Sequence, residues 1–339
     1  MTRHKHNIGR HHARGRAWRT LAAALALAVA VGGGLATSTA LADEPQQCGA
    51  SDKVCYAGYN ANGLKRIAND LSENGTGSRY YTAMESNLQE DVRGSITLSD
   101  GSKLPFRLIG VLHDDLADGS GRKAGLTFMA VNAMPKAYCM YGTRSSGKQV
   151  CTTTGGFKKG GWRDSSLRQL MNGGEVWDMF PQAFRDNVSA VLKQSNNMEY
   201  GNTAGSAASA TSDRLWLVSY RELVPTIYEG PTVNTVWKKT NGFQALSQEG
   251  SQYEFFKGRV KNNYSSNEIL QGMSKTASGS SPVGRLANAW MERSLSPAGP
   301  DTFLSVTGGS SSPNYLGYGN PGGSWNSNFP LALVPAFSF

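Results

Sequence analysis

Trp162-Arg163-Asp164-Ser165-Ser166-Leu167-Arg168-Gln169-Leu170-Met171-Asn172 is the most patterned stretch of the chain. It reads as the opening of an amphipathic helix, with Leu167, Leu170 and Met171 on one face. Asp164 or Ser165 can accept backbone N–H groups as the N-cap, and Trp162 can staple the chain ahead of the first turn. Arg168 can reach a carboxylate or the carbonyls at a strand end, and Asn172 before Gly173-Gly174 suits a left-handed exit. The helical pattern continues to Ser195: Pro181 opens a second helix carrying Phe184, Val188, Val191 and Leu192. These are roles in a scaffold, not in a reaction.

On either side the period changes. Upstream, Ile96–Leu98, the turn Ser99–Ser102, Leu104–Leu112, the turn Asp118–Gly121 and Leu126–Val131 predict three antiparallel strands. Before them, Leu64, Ile67, Ala68 and Leu71, then Tyr80, Met84 and Leu88, predict two short helices separated by Asn74-Gly75-Thr76-Gly77. Downstream, Asn196 to Ser212 reads as a loop, Leu215–Val218 as a buried strand, and the polar stretch to about Arg285 as irregular. Ala289–Met291, Phe303–Val306 and Leu331–Phe339 are strand-like. The expectation is an α+β fold: antiparallel strands around two central helices, preceded by a short helical segment.

The Trp162–Asn172 stretch resembles the signature W-x-x-S-x-L-R-x-x-L-N of an uncharacterised bacterial and phage family, domain of unknown function 6273. Asp213 to Glu222, Trp290-Met291-Glu292-Arg293-Ser294 and Val334-Pro335-Ala336-Phe337 resemble further blocks of that family. Met291 stands where the family often has a second tryptophan, and Val334 where an arginine commonly precedes the closing proline. The resemblance spans Ser95 to Phe339. It implies a C-type-lectin-like module, related to the formylglycine-generating-enzyme branch and to phage receptor-binding proteins, and Gly322-Gly323-Ser324-Trp325 echoes a motif of that superfamily. Irregular loops on a small sheet would then form a binding face, with Trp290, Arg293, Tyr315, Tyr318, Trp325 and Asn326 as ligand-binding residues. Oxidase chemistry of the formylglycine type needs a late cysteine pair, and nothing after Cys151 supplies one.

The N-terminus sets the compartment. Six of the 34 Lys and Arg residues, and no acidic residue, precede Asp43; an apolar run from Leu21 to Val31 leads to Ala40-Leu41-Ala42. That pattern predicts a signal peptide over 1–42 and a mature start at Asp43. The apolar run is too short to span a bilayer, which takes about 20 residues. The domain plan is therefore 1–42 signal peptide, 43–92 disulfide-pinned helical segment and 93–339 module. The mature chain keeps 28 basic against 25 acidic residues, so the formal charge of +9 belongs largely to the export segment. Nucleic acid is not implied.

Cys48, Cys55, Cys139 and Cys151 are an even set in an exported chain. Proximity favours Cys48 with Cys55 and Cys139 with Cys151, among three possible pairings. The spacings match no common zinc pattern, and beyond the signal the only histidine is His113. It ends a strand-like run and reads as a surface histidine. Asp114, Asp115 and Asp118 form an acidic group that calcium could use, but they follow no EF-hand spacing and read as a solvated turn. No cofactor or metal is expected. A glycosidase needs two carboxylates close together; Glu222, Glu254, Glu292 and Asp301 are the candidates, with Glu292 and Arg293 expected in a buried ion pair or cap network instead. The expected function is non-catalytic extracellular recognition of a glycan or protein partner, secreted or held non-covalently at the cell surface. The alternatives are a secreted glycan-active hydrolase and a structural surface subunit.

Overall fold

The computed structural model describes residues 44–145, 148–151, 161–197, 208–226, 242–260, 267–284, 289–296, 302–307 and 320–339. The signal-peptide expectation for 1–42 lies outside them. The first part contains β1 (Val54–Cys55), α1 (Ala61–Asn74), α2 (Tyr81–Gln89), β2 (Arg93–Thr97), β3 (Lys103–Val111) and β4 (Leu126–Ala130). A hairpin, β5 (Thr143–Ser145) and β6 (Lys148–Val150), precedes α3 (Ser166–Gly173), α4 (Glu175–Asp178) and α5 (Gln182–Asn187). Next come β7 (Val191–Ser195), β8 (Ser209–Asp213), β9 (Leu215–Trp216), α6 (Tyr220–Leu223), α7 (Gly242–Ser247) and a 3-10 turn at Glu254–Phe256. The chain closes with β10 (Ala289–Leu295), β11 (Thr302–Thr307), β12 (Asn320–Asn326) and β13 (Ala336–Ser338).

The fold is mixed α+β, and its sheets are antiparallel. Six strands pair in the order β1-β2-β3-β4-β13-β9. Three more form β10-β11-β12, and β5-β6 and β7-β8 are two-stranded. The large sheet therefore recruits its first strand from the N-terminal segment and its fifth from the last residues of the chain. An aromatic cluster seals that closure: Phe128 lies 5.2 Å from Phe106 and 5.7 Å from Phe337, whose ring is 4.8 Å from Phe184. Ring pairs at these separations add to the burial of their area.

α1 forms where the apolar spacing predicts. The Asn60 side chain caps it by accepting from Gly63 N at 3.0 Å. Leu64, Ile67, Ala68 and Leu71 are all buried, and each of the larger three contributes roughly 2 kcal/mol by leaving water. With Met84 and Leu88 of α2 they join the same core as the sheet, so residues 44–92 supply part of the main core. The disulfides are Cys48–Cys55 and Cys139–Cys151, the second bracketing the β5-β6 hairpin.

Three strands depart from expectation. The helix over Pro181–Ser195 stops at Asn187, and Val191–Ser195 is a strand paired with β8 across Val191↔Asp213 to Ser195↔Ser209. A helix would have buried Leu192; instead Val191, Lys193 and Ser195 point inward while Leu192 is 41% exposed, a period of two. β8 occupies part of the expected 196–212 loop, because its inward residues are Thr211 and Asp213, polar groups that the apolar pattern does not register. β12 likewise runs through Gly322-Gly323-Ser324-Trp325, expected among the binding loops, and pairs with β11.

Candidate functional site

The opening stretch builds a frame. Ser165, not Asp164, is the N-cap of α3, accepting from Arg168 N at 3.1 Å. Trp162 Nε1 donates to Asp213 Oδ2 at 2.9 Å and Arg168 Nε to Asp213 Oδ1 at 2.6 Å. Asn172 accepts from Arg214 N at 2.7 Å and donates to the Leu215 carbonyl at 2.9 Å. The helix is thereby bolted to β8 and β9, and its polar residues are consumed in doing so.

Behind this frame lies a buried chain of charges. Glu222 closes a capping box at the start of α6. Its carboxylate takes Arg293 Nη1 at 2.5 Å and Nη2 at 2.9 Å, and pairs with Lys193 Nζ at 2.5 Å. Lys193 also reaches Asp114 at 2.7 Å, and the Tyr253 hydroxyl accepts from Lys193 at 2.9 Å while donating to Asp114 at 3.0 Å. Burial works to raise the carboxyls of Asp114 and Glu222, but Lys193 beside the first and Arg293 and Lys193 beside the second outweigh it and hold both below the usual range.

Two further buried carboxyls behave oppositely. Glu249 accepts from Asn196 N at 2.8 Å and from the Ser294 hydroxyl, yet burial pushes it up to about 7. Glu292 has no hydrogen-bond partner among the described residues; burial, with Glu249 adding, raises it well above its ordinary value. The expected Glu292–Arg293 pair does not form, because successive residues of β10 face opposite ways and Arg293 turns to Glu222.

The proposed binding face divides. Trp290 and Arg293 are both 0% exposed, in a strand buried along its whole length. Trp290 Nε1 donates to the Leu270 carbonyl at 3.4 Å, and Arg293 is spent on Glu222 and three carbonyls. Trp325 is half-buried, its ring 5.5 Å from Phe329, and Asn326 is exposed. Tyr315, Tyr318 and Asp301 lie outside the described residues. The acidic group is dispersed: Asp114 belongs to the charged interior, Asp115 pairs with Lys123 at 2.7 Å, and Asp118 accepts from Ser120 N at 2.9 Å. Among the described residues no group of three His, Cys, Asp or Glu is placed to hold a metal ion. His113, expected at the surface, has a side chain only 10% exposed and set against Glu254.

A cleft of about 320 Å³ opens elsewhere, between α1 and the turns at Leu116–Gly125 and Ser189–Ala190. Lys65, Asn69 and Ser72, at i, i+4 and i+7, line it from the helix. The Lys65 ammonium donates to Ser189 Oγ at 2.6 Å and has no carboxylate within ion-pair distance among the described residues. Burial lowers its pKa, with Asp118 across the cleft acting against that. Ser72 Oγ is buried without a hydrogen-bond partner among the described residues. Only the polar i, i+4, i+7 spacing on α1 signalled this wall in the sequence.

A protein-family model described as Domain of unknown function (DUF6273) matches residues 142–313. No curated protein and no solved structure matches the chain. Among the described residues no helix is long and apolar enough to cross a membrane.

Proposed function

This chain belongs to the DUF6273 family, and from that premise we propose that it is an extracellular recognition protein that takes part of a glycan into the cleft beside α1. The carrying observation is the Lys65–Asn69–Ser72 stripe on one wall of a 320 Å³ recess: among the described residues the Lys65 ammonium has no carboxylate within ion-pair distance and the buried Ser72 hydroxyl has no partner. Small-ligand sites have about this size, roughly 300–1,000 Å³, and use a few placed polar groups in this way. An acidic sugar suits the site best, its carboxylate on Lys65 and its hydroxyls on Asn69 and Ser72.

Export is part of the proposal, supported by the N-terminal sequence pattern and by the two disulfides. So is the finer C-type-lectin-like assignment, which the small β10-β11-β12 sheet and its long connections support. A structural-subunit role has less support, since the apolar faces of α1 and α2 are covered by the chain's own core.

The test is a glycan array probed with the oxidised chain Asp43–Phe339, beside Lys65→Met and Trp325→Ala. Saturable capture of acidic glycans that disappears in Lys65→Met supports the cleft. Capture lost only in Trp325→Ala moves the site to β12, and no capture by any form removes glycans as the ligand.

A further inference from the structure

Ser251, His113 and Glu254 stand in a relay away from the cleft. His113 Nδ1 lies 3.0 Å from Glu254 Oε2 and 3.1 Å from Oε1, while His113 Nε2 lies 3.4 Å from Ser251 Oγ. With Nδ1–H donated to the carboxylate, Nε2 is left as the base facing a hydroxyl, the order that activates a serine nucleophile. The Ser251 separation is long, as such bonds are before a substrate tightens them.

The surroundings hold this arrangement. The imidazole lies against the Tyr253 ring at 4.2 Å between centroids, and Tyr253 is anchored by Lys193 and Asp114 in the charged interior. Gly110 of β3 lies beneath the pair: a Cβ there would come within 3.0 Å of His113 Cβ and 3.1 Å of Glu254 Oε2. Leu112, immediately before His113, has φ +54°, a left-handed conformation rare outside glycine, and Gly250 before Ser251 has φ +107°. Left-handed backbone at a non-glycine residue such as Leu112 gathers at functional sites. Burial works to raise the Glu254 carboxyl, but the hydrogen bond from His113, with Lys257 at 3.3 Å adding, outweighs it and keeps the group ionised to orient the ring. Ser251 itself is exposed, so an ester can reach its hydroxyl.

We propose that Ser251, His113 and Glu254 form a catalytic site that hydrolyses unhindered carboxylic esters through a Ser251 acyl intermediate. Ser251 Oγ attacks the ester carbonyl carbon as its proton passes to His113 Nε2. The tetrahedral intermediate collapses, the carbon–oxygen bond to the alcohol breaks, and His113 returns the proton to the departing alkoxide. Water then attacks the acyl-serine by the same route, releasing the carboxylic acid and restoring Ser251. A small activated ester suffices as probe, because Ser251 lies at an exposed position.

The experiment uses the oxidised Asp43–Phe339 chain with p-nitrophenyl acetate and, separately, a fluorophosphonate probe, with Ser251→Ala, His113→Gln and Lys65→Met alongside. Hydrolysis above buffer, falling about 100-fold or more in Ser251→Ala and His113→Gln, with the phosphonyl adduct mapped to Ser251 by peptide mass spectrometry, is the expected result. Ser251→Ala changes an exposed side chain, so its fold is checked by its unchanged melting temperature. A rate indifferent to Ser251→Ala, an adduct on another residue, or no hydrolysis above buffer would overturn the proposal. Lys65→Met is expected to keep full esterase activity, which separates this site from the glycan cleft.

Discussion

Two buried regions hold this molecule together by opposite means. Around β3, β4 and β13 the interior is aromatic and aliphatic: Phe106, Phe128, Phe337 and Phe339 against Leu64, Ile67 and Leu71 of α1. Around β7 and β10 it is ionic: Asp114, Lys193, Glu222 and Arg293, with the raised carboxyls of Glu249 and Glu292 beside them, all at most 5% exposed. Apolar contacts are non-directional and tolerate a small loss of volume. A buried ion chain is different, because each charge owes its place to a neighbour and removing one strands the next. The first region should bend under mutation and the second should break.

The largest effect is expected at Glu222. Glu222→Gln leaves Arg293 and Lys193 without their shared counter-charge, and a buried ion with its partner removed costs about 3–5 kcal/mol. Urea unfolding at pH 7 measures it; a loss no larger than that of a surface substitution, within about 0.5 kcal/mol, would mean the chain of charges is not closed.

Glu249 sharpens the contrast through pH. Its carboxyl is raised from 4.5 to about 7 in the folded protein, so between those values the folded state holds a proton that the unfolded state has released. Stability attributable to Glu249 is therefore full below about pH 4.5, falls as pH rises through the window, and is lost above pH 7. The shift corresponds to roughly 3 kcal/mol. Glu249→Gln should match the parent near pH 4.5 and exceed it by that amount at pH 8. Equal slopes in the two proteins would show that Glu249 is ionised in the fold at neutral pH. Asp114 and Glu222, held low by their cations, run the other way: their contribution is present at neutral pH and is lost as pH falls through their depressed values.

Legibility in the sequence follows the same division. α1, β2, β3 and β4 stand where hydrophobic periodicity puts them, because their inward faces are Leu, Ile, Val and Phe. β7 and β8 escape that reading, since their inward faces carry Lys193, Thr211 and Asp213. Lys193 is buried only because Asp114, 79 positions away in the chain, and Glu222 meet it, and no local window contains that fact. Trp290 and Arg293 are distinctive in the sequence, but which way they face depends on β10 being covered on both sides. Lys65 and Ser251 carry no motif, and their significance comes from a cleft and a histidine that folding brings to them.

Glu292 offers a smaller effect of the opposite sign. A buried carboxyl with neither oxygen hydrogen-bonded carries an uncompensated desolvation cost of about 1–3 kcal/mol. Glu292→Met, similar in volume and apolar, should raise the free energy of unfolding at pH 7 by that amount, read from urea denaturation. Destabilisation instead would mean the carboxyl has a use in the folded protein that its surroundings do not disclose.

The smallest change belongs to the apolar region and tests its tolerance. Ile67 of α1 is fully buried in the main core, so Ile67→Val deletes one methylene's worth of contact and leaves a space that neighbouring Leu and Phe side chains can partly fill. Such a substitution costs about 1 kcal/mol, several-fold less than Glu222→Gln although both sites are equally hidden from water. Denaturant unfolding of the two variants side by side compares them directly, and a common slope keeps the comparison to stability alone. If Ile67→Val proved as damaging as Glu222→Gln, α1 would be locked against the sheet as tightly as the ions are locked to one another. The distinction between a yielding core and a brittle one would then fail.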